Sequence, residues 1–268
     1  MSSIVAALSD GAVVAKRNVI KIVRVPEVLV FVLMSPIMFV LLFAYVFGDS
    51  ISVPGGSGYR EFLIAGIFAQ TVLFGATWTG AGLAEDMQKG IINRFKSLPM
   101  SRSAVLVGRT GSDVIYNVLS IAIMSITGLV VGWRIRGSIL EAIAGYAVLL
   151  LFAYAVSWLM AYIGLLVPSV EVINQASFMV LFPLTFIANT FVPSDNLPTA
   201  LRTVAEWNPV SSVTQASREL FGNIPEGTPE PSAWPLQHAA LYTLIWVVLI
   251  IAVFAPLAVR QYKRTSAR

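Results

Sequence analysis

Six apolar runs govern what these 268 residues can become, because each is about long enough to cross a bilayer and none contains Asp, Glu, Lys or Arg. A helix rises about 1.5 Å per residue through a hydrocarbon layer about 30 Å thick, so about 20 mostly apolar residues make one crossing. The runs are Val28–Phe47, Phe62–Ala84, Val114–Trp133, Ala142–Val167, Val172–Val192 and Ala239–Val259. Only 12% of the residues are charged, about half the share that wets a soluble domain. The expected fold is an all-α integral membrane protein of six transmembrane helices. The fourth run is long enough to tilt and stops at Pro168, and Glu171 leads at once into the fifth, so these two form a tight hairpin.

Basic residues set the expected orientation. Thirteen Lys and Arg flank the runs on the side of the two termini and the second-to-third loop, against five on the other side. The positive-inside rule places the thirteen in the cytoplasm. Residues 1–26 read as a cytoplasmic interfacial helix ended by Pro26. Ile4, Leu8, Ala12, Ala15, Val19, Ile22 and Val23 share one arc, opposite Arg17, Lys21 and Arg24. Residues 27–259 form the six-helix domain and 260–268 a basic cytoplasmic tail. The external stretch 193–236 holds seven of the fourteen prolines. Thr199–Trp207 and Val210–Phe221 read as short helices that dip into or lie on the outer leaflet. A cleavable leader is not expected, since the first full-length run starts too far in.

What the sequence lacks excludes several chemistries. With no cysteine there is no disulfide frame, thiolate metal site or cysteine nucleophile. The lone histidine, His238, cannot form a multi-histidine metal centre, and no nucleophile–base–orienter set can be placed without a histidine inside the fold. No Gly-Lys-Ser/Thr occurs, so the phosphate cradle of an ATPase is expected on a separate chain, and with it ATP and Mg. The net charge of +4 is absorbed by membrane orientation, and no nucleic-acid partner is expected. Ionisable groups of a proton relay are missing from the six runs. Gln70, Asn117, Asn174, Gln175 and Asn189 supply polarity there. Hydrogen bonding between helices is the plain role for each. Gln70, with Trp78 two turns further on, is the best candidate to line a path for an amphipathic aromatic solute or a lipid. Gly128 and Gly132 make a Gly-x-x-x-Gly, with packing inside the chain as the default and pairing of two subunits as the alternative.

The loop between the second and third runs is the most informative stretch. From Glu85 and Asp86 through Gly90 to Pro99, the residues Ile91, Ile92, Phe95 and Leu98 follow helical spacing and make one apolar face. Lys89, Arg94 and Lys96 lie elsewhere around the helix, and Pro99 stops it. Such an amphipathic helix either rests on lipid headgroups or docks in a groove of a cytosolic partner. The acidic pair argues mildly against anionic lipid.

The same loop, running through Arg94-Phe95, Ser97-Leu98-Pro99 and Ser101-Arg102 to Arg109, resembles the signature of type 2 ABC export permeases, the ABC-2 family, and its daunorubicin-resistance-type branch most nearly. Pro36-Ile37-Met38-Phe39 with Tyr45-Val46-Phe47-Gly48 resembles that branch too, as do Pro183-Leu184-Thr185-Phe186 through Asn189, Phe191, Pro193, Leu197-Pro198 and Leu201, followed by Asn208-Pro209. The resemblance implies that residues 85–99 are a coupling helix seated in a cleft of the ATPase subunit. Glu85, Asp86, Gly90, Ile91, Arg94, Phe95, Leu98 and Pro99 would carry the coupling. It also implies that the N-terminal helix is a connecting helix, and that two permease copies pair with two ABC ATPase copies. Asn189 stands where a small Ser is common in the family. The expected function is therefore the permease subunit of an exporter, not itself an enzyme, moving a hydrophobic drug or lipid-like substrate across a bacterial plasma membrane. Export of a glycolipid or polysaccharide is the alternative, followed by a non-ABC channel or membrane enzyme.

Overall fold

The computed structural model describes residues 3–24, 26–46, 59–92, 104–224 and 228–265. Helices α1 (Ser3–Arg24), α2 (Pro26–Val46), α3 (Tyr59–Gly75) and α4 (Thr77–Gln88) come first. Next come α5 (Ala104–Val131), α6 (Ile139–Gly164) and α7 (Val170–Phe186). A 3-10 turn at Ser194–Asn196 precedes α8 (Thr199–Glu206), α9 (Pro209–Leu220), α10 (Trp234–Gln237) and α11 (Ala239–Thr265). Among the described residues no strand occurs, as the apolar runs require.

Among the described residues, four helical segments are long and apolar enough to cross a membrane: Tyr59–Gln88, Ala104–Val131, Ile139–Gly164 and Ala239–Arg264. The first combines α3 and α4 and is the central helix, with 83% of its apolar window buried inside the protein. It breaks at Ala76, where the Thr77 hydroxyl donates to the Phe74 carbonyl at 2.7 Å and competes with the helical ladder. The expected hairpin is present, with α6 ending at Gly164 and α7 starting at Val170. Ser138 caps α6 in a reciprocal box with Glu141, and the Ser169 hydroxyl caps α7.

Three expected boundaries move. The fifth run does not continue to Val192: α7 stops at Phe186, one turn past Pro183, and residues 187–192 turn back over the end of α3. Proline removes a donor and crowds the preceding turn, which favours an end here. The third helix starts at Ala104, more than two turns before Val114, so Arg109 and Asp113 belong to it. The helix expected over 85–99 is interrupted. Glu85 and Asp86 complete α4, Gly90 turns the chain at φ +64°, and helix resumes at Ile91 and Ile92. Glycine adopts that left-handed conformation without steric cost.

The main core wraps the central helix. Phe68 meets the rings of Trp133, Tyr146 and Phe221 edge-on at 5.5–6.2 Å, and the Trp133 indole N–H donates to Asn223 Oδ1 at 2.7 Å. A second cluster at the other end gathers Leu83, Ile92, Leu106, Trp158, Leu165 and Tyr262. Helix α1 docks on the first turns of α5 through Gly11, Val14 and Asn18, at the flank of its predicted apolar arc, and Ala12 within that arc stays exposed.

Candidate functional site

Three places along the central helix collect the polar and aromatic side chains. At the Asp86 end, the Arg17 guanidinium of α1 meets the Asp86 carboxylate at 3.2 Å. Beside it, Asn18 Nδ2 donates to Ser112 Oγ at 3.2 Å. Lys89 pairs with Glu85 one turn back at 2.5 Å, and that hydrogen bond holds the ammonium pKa above its ordinary value. Gln88 Nε2 reaches the Pro168 carbonyl of the α6–α7 hairpin at 3.3 Å. The last turn of α4 is thus tied to α1 and to the hairpin. Ile91 is half-buried, whereas Ile92 packs into the chain's own second cluster and is not available to a partner. Arg94, Phe95, Leu98 and Pro99 lie outside the described residues.

Midway along, a cleft of about 440 Å³ opens between α2, α3, α4, α5 and α7. Its walls include Phe39, Gln70, Phe74, Trp78, Tyr116 and Phe182. Gln70 and Trp78, eight residues apart in sequence, come together here as their helical spacing suggested; Gln70 is 8% exposed. The aromatic wall is a ladder on α7, where Phe178, Phe182 and Phe186 stack with centroids 5.0 and 4.2 Å apart. Their i, i+4, i+8 spacing was legible in the sequence, but the run was read only as a span.

Beneath this cleft lie two ionisable side chains that the sequence reading missed. Arg109 of α5 crosses to α4 and donates through Nη2 to the Trp78 carbonyl at 3.0 Å. It fits because residue 82 is glycine: a Cβ there would stand 1.4 Å from Nη2. Asp113, one turn on, is 5% exposed, and its Oδ2 has no hydrogen-bond partner. Both were assigned to a loop, which hid the i, i+4 relation.

Asn189 does not join the cleft. It lies at the far end of the central helix, where its backbone N–H donates to Ser211 Oγ at 3.0 Å. There Arg218 of α9, 2% exposed, donates through Nε to the Phe62 carbonyl at 3.0 Å and through Nη2 to the Asn189 and Thr190 carbonyls at 2.7 and 3.3 Å. Its guanidinium also sits over the Phe62 ring, 3.5 Å from the centroid. Burial pulls the Arg218 pKa down to about 9, which leaves it charged at neutral pH. Sequence alone placed Arg218 among the five basic residues on the non-cytoplasmic side, in a short helix at the outer leaflet.

The glycine pair separates into two roles. Gly128 faces its own chain, where an added Cβ would stand 3.2 Å from the Trp133 ring and 3.4 Å from Ile64, so its surface is spent on intrachain packing. Gly132 has φ +107° and ends α5.

Long apolar helices around a central one, with an aromatic cleft against it, define a multi-pass membrane protein with a cavity of ligand size. The ABC-2 type transporter family model matches residues 11–221, and the chain belongs to that family. It is 32% identical over 242 residues to the daunorubicin resistance ABC transporter permease protein DrrB1 of Streptomyces coeruleorubidus, covering 90% of this chain and 82% of that protein. A probable doxorubicin resistance ABC transporter permease protein, DrrC of Mycobacterium tuberculosis, is 22% identical over 86% of this chain and 80% of its own length. The putative transport permease ycf38 of Cyanophora paradoxa is 22% identical over 79% of this chain and 73% of its own length. The chain is thus the membrane permease subunit of an ABC exporter, a transport component and not itself an enzyme.

Proposed function

We propose that this permease moves a hydrophobic, aromatic drug-like solute through the cleft beside Gln70 and Trp78, driven by a separate ABC ATPase that binds ATP and Mg. The observation that carries the reading is the cleft itself: six aromatic side chains, Phe39, Phe74, Trp78, Tyr116, Phe178 and Phe182, surround the amide of Gln70. Flat apolar solutes gain contact area on such walls, and one amide fixes their orientation. The resistance functions in the printed names of the relatives DrrB1 and DrrC agree with this cargo.

The complete topology has six spans, with α2 and α7 added to the four long segments, and both termini in the cytoplasm of a bacterial plasma membrane. The Asp86 end then faces the cytoplasm, with α1 at the lipid interface. Helices α8 and α9 sit at the outer leaflet, with α9 dipping among the spans. Two copies of the chain pair with two ATPases. The segment 85–99 is the coupling element. Since Gly90 turns the chain, the lever proper starts at Ile91, and α4 with its Glu85 and Asp86 ties is the shaft that it moves.

The test is co-expression with an ATPase whose reading frame neighbours this one, followed by efflux of a fluorescent hydrophobic dye. Phe95→Asp or Leu98→Asp is expected to abolish efflux and ATPase co-purification while membrane insertion stays intact. Normal efflux by either variant, or efflux by the permease alone, would defeat the proposal.

A further inference from the structure

A second cleft, of about 480 Å³, opens at the Arg218 end and is separate from the aromatic one. Its deep wall carries two nearly fully buried side chains with polar atoms left over. Arg218 Nη1 and Asn189 Oδ1 have no hydrogen-bond partner, although the residues are only 2% and 4% exposed. Among the described residues Arg218 forms no ion pair; its bonded partners are carbonyls and a ring. A buried cation without a counter-ion is costly, and an unmet donor beside a cavity is where an anionic oxygen gains most.

The rest of the lining has the opposite sign. Arg202 and Glu206 neutralise each other at 2.8 Å. Further out, the exposed Glu219, whose Oε1 accepts from Gln215 Nε2 at 3.1 Å, and the exposed Glu230 stand on the cleft's rim. A simple anion would meet Arg218 only after passing these two, and a simple cation would meet Arg218 at the bottom. A group with a negative centre leading and a positive centre trailing satisfies both.

We infer that the cleft between Arg218 and the Glu219–Glu230 rim binds a zwitterionic phospho-headgroup, its phosphate on Arg218 Nη1 and its ammonium at the rim carboxylates. The ligand comes either from the bilayer as a phospholipid or from solution as a free phosphodiester zwitterion. The site is independent of the cargo reading, since neither Gln70 nor Trp78 takes part.

The full chain is purified in detergent, exposed to equimolar phosphatidylethanolamine and phosphatidylglycerol, and its retained lipid counted by native mass spectrometry. The expected result is phosphatidylethanolamine retained in preference by about tenfold or more, the size of one charge-assisted contact. Arg218→Gln removes the retained lipid. Because that variant also loses packing, Glu219→Gln with Glu230→Gln provides the decisive control: Arg218 stays, and phosphatidylglycerol is now held as well as phosphatidylethanolamine. Water-soluble glycerophosphoethanolamine distinguishes the sources. If it displaces the lipid, the headgroup alone is recognised and a free zwitterion is a competent ligand; if it does not, the ligand is the lipid. Equal retention of the two lipids by the unmodified chain, no retention of either, or a preference that survives the double substitution overturns the inference, while dye efflux through the aromatic cleft is untouched.

Discussion

The two ends of the central helix hold their charges in opposite ways. At Asp86 the carboxylate is 7% exposed, but its partner Arg17 is 41% exposed, and the pair joins two different helices. Roughly 36 Å away along the helix, counted from Phe62 to Asp86 at about 1.5 Å per residue, Arg218 is sealed and held by three carbonyls and a ring. An ion pair open to solvent on one side re-forms more easily than a sealed one, so it suits a joint that must move. A buried cation anchored in backbone carbonyls cannot shift without stranding them, so it suits a fixed block. Under the proposed coupling, the Asp86 end is the one that is pushed and the Arg218 end the one that stays in place.

The largest test of that contrast is Arg218→Met. Three carbonyl acceptors lose their donor, and a loss of about 3 kcal/mol or more is expected, read as a lower midpoint of thermal unfolding in detergent. An unchanged midpoint would mean that this end is not locked. A middle-sized effect comes from Gly128→Leu, which forces a side chain between Trp133 and Ile64 in the same block. About 1–3 kcal/mol should be lost, with no change in the oligomer mass measured by light scattering. A change in mass with stability preserved would return Gly128 to a subunit interface. The smallest effect belongs to the other end. A double-mutant cycle on Arg17→Gln and Asp86→Asn should give a coupling of about 1 kcal/mol or less, shrinking as salt is raised. A coupling as large as the Arg218 effect would erase the difference between the ends.

Much of this was legible in the chain itself. The long helices, the α6–α7 hairpin and the two short helices after Pro198 and Pro209 follow from apolar run length and proline position. Gln70 and Trp78 share a cleft because residues eight apart in a helix return to nearly the same face. Arg109, Asp113 and Arg218 were missed for one reason: sequence treats a charged residue outside an apolar run as solvated. Whether it is solvated depends on what the neighbouring helices place against it. Gly82 opens the notch for Arg109, and the turn at residues 187–192 supplies carbonyls to Arg218.

The sequence by itself determined that the chain is a multi-pass membrane bundle of this transporter family. Lipid rejects unpaired backbone groups and charge wherever they occur, so this constraint is written residue by residue along the chain. Only the tertiary structure decided which charges are sealed, that Asn189 and Gln70 belong to different clefts, and that Gly128 packs inward. Those outcomes depend on side chains and carbonyls brought together from distant positions, such as Arg218 with Phe62, which lie 156 residues apart.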